Sequence, residues 1–168
     1  ERTIPRGPFT GQLSSFQKGR RTVRQILIGA GCDETMPMPF LAPGDLENAG
    51  LSSTAISISN PLVQEESLLR TSLMPGQLKI ISYNQSHRIK KLKFFEIGHV
   101  YLPSEDDQLL PDEREYLSIS IAGGDATEIV AILDMISLTM AFPNMQLKQQ
   151  EIEGLHPGRS AHVFVAGH

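Results

Sequence analysis

Arg70 stands where an extended apolar run, Leu68-Leu69, gives way to Pro75-Gly76 and a helix-like stretch. A guanidinium at such a step is a planar, permanently charged five-donor group. It either binds an anion or brackets the turn. Glu96 lies inside the apolar run "LKFFEIGHVYL", residues 92–102, and a buried carboxylate needs a partner. Arg70 is the obvious candidate for it. A second constellation is His156-Pro157-Gly158-Arg159. Pro-Gly makes a tight turn with His156 and Arg159 at its two ends, a place where a phosphate or carboxylate could sit. The competing reading, that Arg159 braces the turn by bonding backbone carbonyls, is preferred, because structural pairs imitate sites.

Two basic groups remain. "HRIKKLK", residues 87–93, could clamp phosphate, but a solvated turn between helix and strand explains it more simply. Lys18, Arg20, Arg21 and Arg24 could touch RNA; a solvent face, or a subunit contact that meets acidic side chains, is the plainer account. His87, His99, His162 and His168 have no metal-ligand spacing with Cys32 or with one another, so no metal site is assigned. Gly-x-Gly-x-x-Gly and Gly-x-Ser-x-Gly are both missing. From the residues alone this is a domain without a convincing active site.

The elements that must position these groups follow from periodicity. Residues 1–11 are rich in proline and glycine and read as a lead-in linker, with a single domain over 12–168. A helix is predicted from Ser14 to Ala30, with Phe16, Val23, Ile26, Leu27 and Ala30 on one face and Gly31 as its stop. Residues 33–41 read as a strand that Pro37 and Pro39 confine to an edge or a bulge. Residues 43–54 read as loop with a short helical turn, and 55–60 as a short strand. Pro75 starts a helix that runs to about His87, with Leu78, Ile81 and Asn84 on one face. Strands at 92–102 and 116–123 should pair antiparallel. Asp125 and Glu128 have capping-box spacing before a helix to about Ala141. "NMQLKQQEIE" and "AHVFVAG" read as two further strands. Hairpins dominate over β-α-β alternation, so the fold class is α+β, an antiparallel sheet flanked by helices.

Composition narrows the function classes. The chain has 168 residues, 20% of them charged and 40% hydrophobic, which is ordinary globular composition and the size of one domain. A formal net charge of -4 provides no global basic field for nucleic acid. A single cysteine, Cys32, excludes an internal disulfide framework and suits a reducing compartment. No apolar run approaches the roughly 18 residues of a membrane span. "ERTIPRGPFT" is neither signal peptide nor anchor, and a start at Glu1 without an initiator Met is read as the edge of an excised piece.

At residues 60–101 a longer pattern appears. "NPLVQEESLLRTSLMPGQLKIISYNQSHRIKKLKFFEIGHVY" resembles the β chain of bacterial phenylalanyl-tRNA synthetase, with "NPL", "EES", "LRTSLMPG" and "FEIGHVY" in order. Upstream, "FQKGRRTVRQILIGAGCDETMPMPFL" is similar to the helix and strand that open the same domain. Downstream, "LPDEREYLSISIAG" and "GLHPGRSAHVFVAG" are similar to its later elements. The resemblance implies the catalytic-like module of that β chain, with the class II aminoacyl-tRNA synthetase fold. It implies a cytoplasmic α2β2 enzyme, phenylalanine-tRNA ligase, in which the α chain binds ATP, phenylalanine and Mg²⁺. In that enzyme this module packs against the α chain and supports aminoacylation of tRNA(Phe) without catalysing it. No cofactor is then expected on this chain.

The residues at the matching positions agree with such a role. Class II activation needs arginines aimed at the ATP phosphates, where positioned positive charge stabilises the transition state. His99 is found where an arginine is usual in this β-chain stretch, and no Gly-x-Gly-x-x-Arg segment appears near the C-terminal end. Arg70 is accordingly expected to act as a structural bracket, pairing with Glu96 across the hairpin or capping carbonyls at the step into the helix of residues 75–87. Class II folds use the first long helix and its following strand as the subunit interface, which implies an exposed stripe of Phe16, Val23, Ile26 and Leu27 for the α chain. A longer tryptophan-containing stretch is usual between residues 121 and 125; here Gly123-Gly124 joins them, and the chain has no Trp. The alternative is a stand-alone RNA-binding or regulatory module of class II descent that uses residues 18–24 and 87–93. An independent enzyme using His156 and Arg159 is a third, weaker reading.

Overall fold

The computed structural model describes residues 11–52, 54–104, 110–142 and 145–165. The lead-in apart from Gly11, and His168, lie outside the described residues. The first helix, α1 (Ser15–Gly29), opens on a capping box. The Gln17 N–H donates to Ser14 Oγ at 3.2 Å and the Ser14 N–H to Gln17 Oε1 at 2.9 Å, satisfying N–H groups that have no partner inside the helix. The chain then reverses through Gly31 at φ +79°, a conformation that glycine adopts without strain.

The longest elements form a hairpin. Strand β5 (Leu92–Leu102) pairs antiparallel with β6 (Asp112–Ala122) along all of its residues, Phe95 opposite Ile119 and Glu96 opposite Ser118. Strand β1 (Asp33–Glu34) joins the other edge of β5 in parallel, with Asp33 opposite Phe94, so the order is β1-β5-β6. A second small sheet contains β2 (Phe40–Leu41), β3 (Ile56–Ser57) and β4 (Leu68–Leu69) in the order β2-β4-β3, all antiparallel. A third is the ribbon of β7 (Gln146–Gln149) and β8 (Ala161–Phe164). Three further helices are α2 (Asp45–Asn48), α3 (Met74–Ser86) and α4 (Ala126–Thr139).

Helices α1 and α4 cover one face of the hairpin. Leu27, Cys32, Phe95, Ile132 and Ile136 make the buried cluster, and Val23, Ile26, Ala30, Ile97, Ile119 and Ile121 pack around it. Gly123 (φ +69°) makes the direct step from β6 towards α4, and a Cβ there would collide with the carbonyl of Lys90. The α+β reading and its antiparallel hairpin are what the structure contains.

Four expectations are corrected. Residues 33–41 do not form one strand. Pro37 and Pro39, which lack N–H donors, separate two short strands that enter different sheets, one of them parallel. Among the described residues the strands fall into three sheets, not one. The strand placed at 116–123 begins earlier, at Asp112: the consecutive charged residues Asp112 to Glu115 carry no apolar alternation, yet they continue the ladder opposite Leu102 to His99. The stripe of α1 is not uniformly exposed: Leu27 is 0% exposed and belongs to the core, whereas Phe16 is 67% exposed.

Candidate functional site

Arg70 and Glu96 meet in one buried group. Arg70 is carried by the turn between β4 and α3, and Glu96 by the middle of β5. Arg70 Nη1 donates to Glu96 Oε1 at 2.5 Å, and Arg70 Nε donates to the His99 carbonyl at 2.7 Å. Gln77, on α3, donates from Nε2 to the other Glu96 oxygen at 3.1 Å. Arg70, Glu96 and Gln77 are 6%, 2% and 2% exposed. The backbone of Arg70 is held as well. Its N–H donates to the Pro39 carbonyl at 3.3 Å, and its own carbonyl accepts the Tyr101 N–H at 2.9 Å.

One arginine thus ties β5, the Pro39 segment and the approach to α3 together. Both Glu96 oxygens have donors, as a buried carboxylate requires. Gly98 provides the space: a Cβ there would run into Arg70 Nη2 and lie 2.7 Å from Glu96 Oε1. Gln77 and Gly98 are the members that reasoning from sequence missed. Gln77 falls outside the face expected to hold Leu78, Ile81 and Asn84, yet Leu78 is exposed and Gln77 is buried. A polar residue one turn into a proline-started helix was the available signal. The Oε1 of Gln77 is buried without a partner among the described residues.

The structure keeps His156 and Arg159 apart from this group. The Arg159 N–H donates to the His156 carbonyl at 2.9 Å, closing the turn, and the Gly158 N–H donates to His156 Nδ1 at 3.1 Å. Bracing therefore comes from the His156 ring and the Arg159 backbone; both side chains are exposed. Three of the eight lysines and arginines in the two basic groups meet acids. Arg20 Nη1 lies 3.0 Å from Glu115, Arg24 Nε 2.8 Å from Glu34 and Lys93 Nζ 3.1 Å from Glu128. The hydrogen bond to Glu34 raises the Arg24 pKa further above its ordinary value. Phe16 and Val23 line a groove of about 340 Å³ with Ile97, Tyr116, Leu117 and Met140; Ile26 packs inward beside Leu27.

Among the described residues no group of three or more His, Cys, Asp or Glu side chains could hold a metal, and no helix is long and apolar enough to cross a membrane. Arg70, the arginine at the step into α3, is already bonded to a carboxylate and a carbonyl, so it does not fit as a clamp for the phosphates of ATP.

Comparison with known proteins adds the lineage. Two solved structures of pyrrolysyl-tRNA synthetase from Desulfitobacterium hafniense superpose with TM-scores of 0.63 and 0.64. They cover 82% of this chain and 49% and 51% of theirs at 15% identity, a likeness of fold alone. The phenylalanine–tRNA ligase β subunit of Listeria monocytogenes is 31% identical over 98% of this chain and 22% of its own length. That of Staphylococcus aureus is 30% identical over 93% and 21%. The chain spans about a fifth of these relatives. The family model described as the phenylalanyl tRNA synthetase beta chain CLM domain matches residues 1–168. The chain belongs to the phenylalanyl-tRNA synthetase β chain CLM domain family.

Proposed function

We propose that this chain is the non-catalytic, catalytic-like module of a phenylalanine–tRNA ligase β subunit, and that it packs against the α subunit to support aminoacylation of tRNA(Phe). ATP and Mg²⁺ then bind on the α chain, and the assembly works in the cytoplasm as α2β2. The observation that carries this reading is the engagement of Arg70. A guanidinium that clamps phosphate must keep its donors free until substrate arrives, whereas this one is buried and bonded to Glu96 and to the His99 carbonyl. Its chemistry is that of holding a turn.

The stand-alone RNA-module reading has less to rest on, since Arg20, Arg24 and Lys93 each face an acid of the same chain. The test is a light-scattering mass for the chain alone and after co-expression with the α chain of the same synthetase. A stable complex is expected, one that Phe16→Asp weakens. A clean monomer in both preparations overturns the scaffold reading.

A further inference from the structure

A cleft of about 450 Å³ lies between α3 and the β2 side of the second sheet. Its walls are Pro37, Met38, Phe40, Ile80 and Tyr83, and its rim carries Glu65 and Glu66 from the short 3₁₀ turn before β4. Met38 is 57% and Tyr83 66% exposed, and the flanking Met36, Leu62 and Val63 are exposed too. Exposed apolar side chains gathered at one cleft mark an interaction surface, and unbranched methionine adapts to a partner's shape.

The charges at the rim are one-sided. Lys79, the cation lining the cleft, is held at 2.5 Å by Asp45. Glu65 and Glu66 have no ion-pair partner among the described residues. Helix and proline segment meet closely at the floor of the cleft: a Cβ on Gly76 would stand 3.2 Å from Pro37 Cγ.

We infer that this cleft docks a protein segment that places a large apolar side chain between Met38 and Tyr83 and a lysine or arginine against Glu65 and Glu66. The inference rests on the scaffold reading, and under that reading the segment belongs to the synthetase α chain. The apolar group supplies burial, while the acidic pair selects the cationic neighbour and speeds encounter.

The test is a titration of the α chain into this chain at two salt concentrations, with Glu65→Lys/Glu66→Lys, Glu65→Gln/Glu66→Gln and Tyr83→Ala. Thermal melts report whether each variant folds, and sedimentation reports self-association. The double lysine variant is expected to raise Kd about tenfold or more and to flatten its salt dependence, with the glutamine variant intermediate. Tyr83→Ala is expected to raise Kd at both salt concentrations alike. Unchanged affinity in a folded double lysine variant overturns the cleft inference and leaves the scaffold reading standing. A change confined to self-association assigns the cleft to a second copy and overturns the inference as well. An α chain that fails to bind even the unmodified chain overturns the scaffold reading and this inference with it.

Discussion

Gly98 makes room for Arg70: any side chain at position 98 would occupy the volume of the Arg70 guanidinium terminus and press on Glu96 Oε1. Gly98→Ala should therefore destabilise the fold by about 1–3 kcal/mol, the usual cost of forcing an extra carbon into a packed site. In an Arg70→Ala background the same change should cost far less, because the volume is then vacant. Chemical denaturation of the two single variants and the double variant forms the cycle, and strict additivity would refute the account.

The ion pair carries its own expectation. Arg70→Ala leaves Glu96 buried with only Gln77 as donor, and Glu96→Gln leaves Arg70 without an anion. Each should cost about 3–5 kcal/mol. An unchanged melting temperature for Arg70→Ala would show that the turn before α3 is held by its backbone bonds to Pro39 and Tyr101 alone.

These two residues also show what a sequence discloses. The pairing of Arg70 with Glu96 was readable because a charge inside an apolar strand demands a partner. The long elements were readable for a similar reason: α1, β5 and α4 each repeat their pattern over many residues. Gln77 was not, since a helix with apolar residues on several faces does not announce which one turns inward. Nor was the division of residues 33–41 between two sheets. A strand of two residues has no periodicity, and its partner, whether Phe94 or Leu69, lies far along the chain. Leu27 and Phe16 share a helical stripe in projection, yet the sheet beneath α1 covers only the C-terminal part of it.

Acid should loosen the start of α4. The Asp125 N–H and then Lys93 hold the Glu128 carboxyl below its ordinary range. A depressed folded pKa means that the unfolded chain takes up the proton first. The contribution is complete above the ordinary carboxylate pKa and is lost as pH falls through the depressed folded value. Melting temperatures of the unmodified chain and Glu128→Gln, measured from neutral pH downwards, should converge in acid. A gap that stays constant with pH would contradict the assignment.

Cys32 should resist thiol reagents. It is buried in the core cluster, and that burial pushes its thiol above the ordinary value, so little thiolate is present at neutral pH. Alkylation is expected to be slow in buffer and fast in denaturant, as read by mass spectrometry. Rapid labelling of the folded chain would place Cys32 at the surface.

The parallel pairing of Asp33 with Phe94 closes a loop of about sixty residues, whereas β5 and β6 meet across a short connection. Loop-closure entropy rises with the length enclosed, so local pairings form before distant ones. The β5–β6 hairpin is thus the natural nucleus of folding, and α1 with β1 is the clasp that fastens on it afterwards. In native-state hydrogen exchange the two should separate, with amides of β1 opening at lower free energy than those at the centre of β5.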